Sequence, residues 1–92
     1  MKYIEFNRKI FEGLIKCGFK QPKAKEKANG CLGLYYSENS HPDPKECVKH
    51  ILERTPPIGF STRQLRLWKK EFGANVKITD AYDYNMEADI YL

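Results

Sequence analysis

Pro56 and Pro57 stand side by side in a chain that otherwise reads largely as helix, and they constrain its fold more than any other feature. Proline has no N–H to donate, and its ring clashes with the preceding turn. An interior proline therefore costs a helix about 3 kcal/mol or more. The residue before a proline also avoids the helical region. A helix approaching this pair must end near Arg54. The apolar periodicity that resumes at Leu65 must belong to a separate helix.

Both flanking segments carry start signals. Upstream, Asp43 reads as an N-cap, Pro44 as the first helical residue and Glu46 as the third position of a capping box. Cys47, Val48, Ile51 and Leu52 give that helix its apolar face. Downstream, Ser61 and Gln64 form a second capping box, and Phe60 and Leu65 a candidate hydrophobic staple. Leu65, Trp68 and Phe72 share one face. Lys69 and Lys70 lie near the C-terminal end, where cations suit the helix dipole, and Gly73 suits a left-handed cap.

The first third of the chain follows the same logic. Tyr3, Phe6, Ile10, Phe11, Leu14 and Cys17 recur at helical spacing and predict a helix over 3–17, with Gly18 as its stop. Pro22 suits the first turn of a second helix, with Ala24, Ala28, Cys31, Leu32 and Tyr35 as its buried stripe. Gly30 and Gly33 weaken that stripe by about 1 kcal/mol each relative to alanine, and 31–36 reads alternatively as a short strand. Residues 37–44 are loop by composition. At the far end Val76, Ile78, Tyr82 and Tyr84 alternate, as do Ala88, Ile90 and Leu92. Asn85, Met86 and Glu87 lie between them as a candidate turn. The expected fold class is thus α+β in a single domain. About four helices over 1–73 would pack with a small antiparallel sheet or C-terminal hairpin over 74–92.

Composition narrows the function classes. Aromatics make up 13% of the 92 residues, too many for a disordered chain. No run approaches the roughly 18–20 apolar residues of a membrane span, and the N-terminus lacks the uninterrupted apolar stretch of a signal peptide. Cys17, Cys31 and Cys47 are odd in number and form no Cys-x-x-Cys pair. They read as reduced thiols of a cytoplasmic protein. A chain this short leaves little room for a large substrate pocket, so a binding module is the default.

The net charge of +4 is unevenly placed. Residues 1–36 hold eight basic groups and three acidic ones, and 61–73 hold four and one. Residues 74–92 hold one and four. One basic block is Lys16, Lys20, Lys23, Lys25 and Lys27, and the other is Arg63, Arg66, Lys69 and Lys70. Such clustering is the footprint of a polyanion binder, and its plain alternative is a solvated helix face.

Catalytic signals are weak. Cys31, His41, Cys47 and His50 can be written as a zinc set, but the first pair is ten residues apart across a loop and the match to known spacings is loose. His50 near Cys47 lacks a sequence sign of a pocket or oxyanion donor. No phosphate-binding or nucleophile-elbow motif occurs. The expectation is a non-enzymatic protein without cofactor or metal.

The run Ile58-Gly59-Phe60-Ser61-Thr62-Arg63-Gln64-Leu65-Arg66-Leu67-Trp68-Lys69-Lys70-Glu71-Phe72-Gly73 resembles the turn and recognition helix of helix-turn-helix proteins, including transposase-type and MerR-like DNA readers. The resemblance implies that Thr62, Arg63 and Arg66 meet base edges or phosphates and that Lys69 and Lys70 meet phosphate. Pro56 and Pro57 depart from the pattern, because they fall where that family continues its preceding helix.

As a whole, the chain is similar to small phage-encoded anti-CRISPR proteins that block type I-F surveillance complexes. The likeness lies in size, in the lack of catalytic motifs, and in basic blocks interleaved with aromatics. It implies a cytoplasmic protein that docks on an RNA-guided Cas protein–crRNA complex and keeps target DNA from pairing. No residue roles carry over from that family, whose members share little sequence. Many such inhibitors are acidic DNA mimics, whereas here only Asp80, Asp83, Glu87 and Asp89 offer local mimicry. The residues expected to contact nucleic acid or a nucleoprotein partner are Lys20, Lys23, Lys25, Lys27, Thr62, Arg63, Arg66, Lys69 and Lys70. The alternatives are a duplex-DNA regulator using the 61–72 helix, and a protein-interaction module whose charges only solubilise it.

Overall fold

Proline and glycine mark the helix boundaries, as their backbone chemistry requires. The computed structural model describes residues 2–37 and 43–77. Among these it contains α1 (Tyr3–Lys16), α2 (Gln21–Asn29), α3 (Leu32–Ser37), α4 (Pro44–Arg54) and α5 (Thr62–Phe72). Gly18, at φ 100, ends α1 in a conformation that L side chains rarely adopt. Its N–H donates to the Ile15 carbonyl, and the Phe19 N–H donates to Leu14, so these two carbonyls of the last turn of α1 are satisfied. The Asp43 side chain caps α4 by accepting from the Lys45 N–H at 2.9 Å. Glu46 lies within 3.8 Å of His50, one turn on, where a capping box would turn it back toward Asp43. Ser61 and Gln64 form the reciprocal capping box of α5, and Gly73 closes that helix in the left-handed conformation.

Phe6, Ile10, Leu14 and Cys17 of the first periodic stripe are fully buried, and Ala24, Ala28, Val48, Leu52, Leu65 and Trp68 join them in one cluster. α1 packs against α2, α3 and α4, and α5 packs against α4. Gly13 lets these layers close up, because a Cβ there would stand 3.1 Å from Val48 and 3.3 Å from Phe72. Fully burying a side chain of leucine or phenylalanine size contributes about 1.5–3 kcal/mol, so the α1 stripe is a main anchor of the bundle.

The α+β expectation is overturned, since the described residues contain helices and no strand. Residues 31–36 are not a strand either. Gly30 ends α2, and α3 begins two residues later, which splits the predicted second helix and leaves Leu32 43% exposed. Ala74 and Val76 are buried while Asn75 and Lys77 are exposed. The expected hairpin alternation starts at Val76, and among the described residues this segment packs without a strand. The Asn75 N–H donates to the Glu53 carboxylate at 2.8 Å, which draws the segment over α4 and turns alternate side chains into the core. The remainder of the expected hairpin, 78–92, lies outside the described residues, as does His41. No described helix is long and apolar enough to cross a membrane.

Candidate nucleic-acid interface

Arg63, Arg66 and Lys70 recur at i, i+3 and i+7 on α5, opposite the stripe of Leu65, Trp68 and Phe72. Helical geometry therefore sets them in one outward ridge about 10 Å long, roughly three phosphates along one strand of a duplex. Lys16 of α1 joins them. These four cations line a shallow groove of about 340 Å³ together with Gln64 and Leu67. Lys69 is exposed but leaves the ridge for the flank of the helix. None of Arg63, Arg66, Lys69 and Lys70 forms an ion pair with a described residue. Lys16 stands 3.4 Å from the Glu71 carboxylate, on the surface.

α5 is held firmly behind this ridge. The Trp68 ring meets Phe60 at 4.7 Å in a T-shaped contact, and Phe19 packs on both rings. Phe60, expected to staple Leu65, thus lies against Trp68 and Phe19. The Trp68 indole N–H donates to the Cys17 carbonyl at 2.9 Å. These contacts bring the turn between α1 and α2 against α5, which explains how Lys16 reaches the ridge.

The structure divides the predicted site residues. Thr62 is buried, at 8% exposure, and so does not share the outward face of Arg63 and Arg66 with which it was expected to contact nucleic acid. The cause is its place at the first turn of α5, where the helix is pressed against the core. Lys20 follows Phe19 and so lies at the α5 end of α2. Lys23 and Lys27 flank one side of the buried Ala24–Ala28 line and Lys25 the other. Lys27 is half-buried and lines a different groove with Arg54 of α4, so the first basic block does not form one surface. Arg54 is not singled out by the sequence, because one cation in the last turn of a helix is ordinary. Lys16 is legible only as a member of the first block; its link to α5 follows from packing.

Of the four residues that could be written as a zinc set, Cys31, Cys47 and His50 lie among the described residues and line one groove. Cys31 and Cys47 are in contact, the Cys47 thiol hydrogen-bonding the Cys31 sulfur. The His50 ring sits between Glu46 at 3.8 Å and Glu53 at 3.9 Å. Among the described residues, no group of three or more ligating side chains is arranged to hold a metal ion. Burial pushes the Cys31 thiol up, partly offset by the Cys47 hydrogen bond. It pushes Cys17 up to about 12, with a small opposing effect of Lys16 and a small reinforcing one of Glu71.

No protein-family model matches the chain, and no match was found among curated proteins or solved structures.

Proposed function

We propose that this chain is a non-enzymatic binding protein that docks on the nucleic-acid backbone of a nucleoprotein complex through the α5 ridge. One observation carries the reading: Arg63, Arg66 and Lys70 share an outward face with Lys16 around one groove, and none of the three α5 cations pairs with a described carboxylate. Solubilising charge has no need of that registry. Phosphate binding does, because each neutralised phosphate releases counterions and strengthens binding at low salt. An RNA-guided surveillance complex is the specific partner proposed, on the resemblance to phage-encoded inhibitors. Its exposed guide strand offers such a backbone, and covering it blocks target pairing.

The test is a binding titration of short RNA and duplex DNA against salt, with the purified surveillance complex as a second arm. The wild-type chain is expected to bind and to stop the complex from capturing target DNA. The triple variant Arg63→Ala/Arg66→Ala/Lys70→Ala is expected to lose that block, with a log–log salt slope shallower by about 2–3. Unchanged binding by the triple variant overturns the ridge, and failure of the wild type to bind the complex overturns that partner.

A second reading, sequence-specific duplex recognition, is favoured by the exposed Arg63 and Arg66 in the first two turns of α5. The buried Thr62 and the seven-residue connection between α4 and α5 count against it, since helix-turn-helix units use a turn of about 3–4 residues. A preference for one duplex sequence over competitor DNA, relaxed by Arg66→Ala, would favour this reading instead.

A further inference from the structure

Two of the three thiols have a relationship that backbone binding does not use. Cys31 lies in the short break between α2 and α3, and Cys47 in the first turn of α4. They are 5% and 7% exposed and stand in contact, Cys47 donating to the Cys31 sulfur and Cys31 donating on to the Lys27 carbonyl at 3.5 Å. Both line a groove of about 340 Å³ that opens to solvent between Lys27 and Glu26 of α2 and His50 and Arg54 of α4. Cys17 is fully buried at the far end of α1 and does not line that groove.

We propose that Cys31 and Cys47 form a thiol-oxidation site that a low-molecular-weight disulfide of the glutathione type converts into an intramolecular bridge. The groove fits such an oxidant on two grounds. It brings two nearly buried sulfurs to one groove of about 340 Å³, room for one arm of a short peptide disulfide but not for a folded protein. Lys27 and Arg54 on its walls complement the carboxylates that a glutathione-type molecule carries.

The step balances. One cysteine thiolate attacks a sulfur of the small disulfide, forming a mixed disulfide and releasing one small thiol. The second cysteine thiolate then attacks the protein sulfur of that mixed disulfide, closes the Cys31–Cys47 bond and releases the second small thiol. The two protein thiols lose two electrons and two protons, and the small disulfide gains them. The bridge ties the α2–α3 junction to the start of α4 and closes a loop around α3, which restricts the unfolded chain more than the folded one.

The full chain is incubated with excess oxidised glutathione, then denatured and alkylated, and its free thiols are counted by mass spectrometry. None of the three cysteines is in a disulfide before treatment. The expected result is a monomer with one alkylated thiol, mapped to Cys17, and a peptide linking Cys31 to Cys47. Its melting temperature should rise by about 10 °C and return on reduction. Repeating the oxidation in denaturant should scatter the pairing among all three cysteines. Three free thiols after treatment, a bridge that includes Cys17, or linkage between chains would each overturn the proposal. Equal pairing with and without denaturant would overturn it as well, because the fold would then not be selecting the pair. Because the readout is a thiol count, it is independent of whether the α5 ridge binds nucleic acid.

Discussion

The indole N–H of Trp68 donates to the backbone carbonyl of Cys17 at 2.9 Å, joining the middle of α5 to the end of α1 across 51 residues of chain. Both residues are fully buried. This bond, with the Phe60 ring edge-on and the Phe19 ring tilted beside it, sets the basic ridge of α5 next to Lys16. The position of the candidate site thus depends on one side chain in the core.

Trp68→Phe should cost about 2–3 kcal/mol in urea unfolding. It removes the indole donor, leaves a buried carbonyl without that partner, and opens a small void. Trp68→Ala should cost about 3–5 kcal/mol, a large share of the 5–15 kcal/mol typical of a whole domain. A phenylalanine variant as stable as the wild type would show that the bond contributes nothing.

Gly18 is confined twice, by its φ of 100 and by Gln64, whose side-chain amide occupies the place where a Cβ would sit. Gly18→Ala should cost about 1–3 kcal/mol for the backbone strain alone, and more for the collision. In a Gln64→Ala background the collision is gone, so Gly18→Ala should cost about 1 kcal/mol less there. A double-mutant cycle reads that coupling directly.

Glu71 lies beside the ridge and holds Lys16 at 3.4 Å. Glu71→Gln should tighten polyanion binding by about two- to threefold at low ionic strength, because it frees one cation and removes one opposing charge. The gain should vanish near 1 M salt, where the Debye length falls to about 3 Å. Lys27→Ala should leave that affinity unchanged, since Lys27 lines the groove shared with Arg54.

The buried Cys17 thiol titrates near 12 in the folded chain against an ordinary value of 9.0. The folded state therefore keeps its proton where the unfolded state loses it. Stability from this group is complete below pH 9 and is lost as pH climbs from 9 toward 12. Thermal or urea unfolding should show the wild type losing about 1 kcal/mol per pH unit relative to Cys17→Ala between pH 9.5 and 11. Parallel pH profiles for the two proteins would contradict this.

Local chemistry made much of this fold legible in advance. The Ser61–Gln64 box, the Asp43 cap, the stops at Gly18 and Gly73, and the break at Pro56–Pro57 are each settled by atoms a few residues apart. The apolar stripes of α1, α4 and α5 followed from periodicity, because a helix has one way to present residues three and four apart. Where the local signal is mixed, tertiary packing decides. Gly30 split a stripe that looked continuous. The alternation that starts at Val76 predicts a strand, whereas in the described residues Ala74 and Val76 are drawn into the core beside the Asn75–Glu53 bond to α4.

The amino-acid order alone therefore set the caps and the apolar faces of α1, α4 and α5, but neither the end of α2 nor the separate helix α3. It also placed Arg63, Arg66 and Lys70 on one side of α5, since that spacing is internal to a single helix. Only the packing of helix on helix brought Lys16 to that ridge, turned Thr62 inward, sent Lys27 to another groove and laid Cys31 against Cys47. Those relationships join residues far apart in the chain. They depend on the angles at which whole helices meet, and those angles are decided by the combined shape of the buried side chains rather than by any one stretch of sequence.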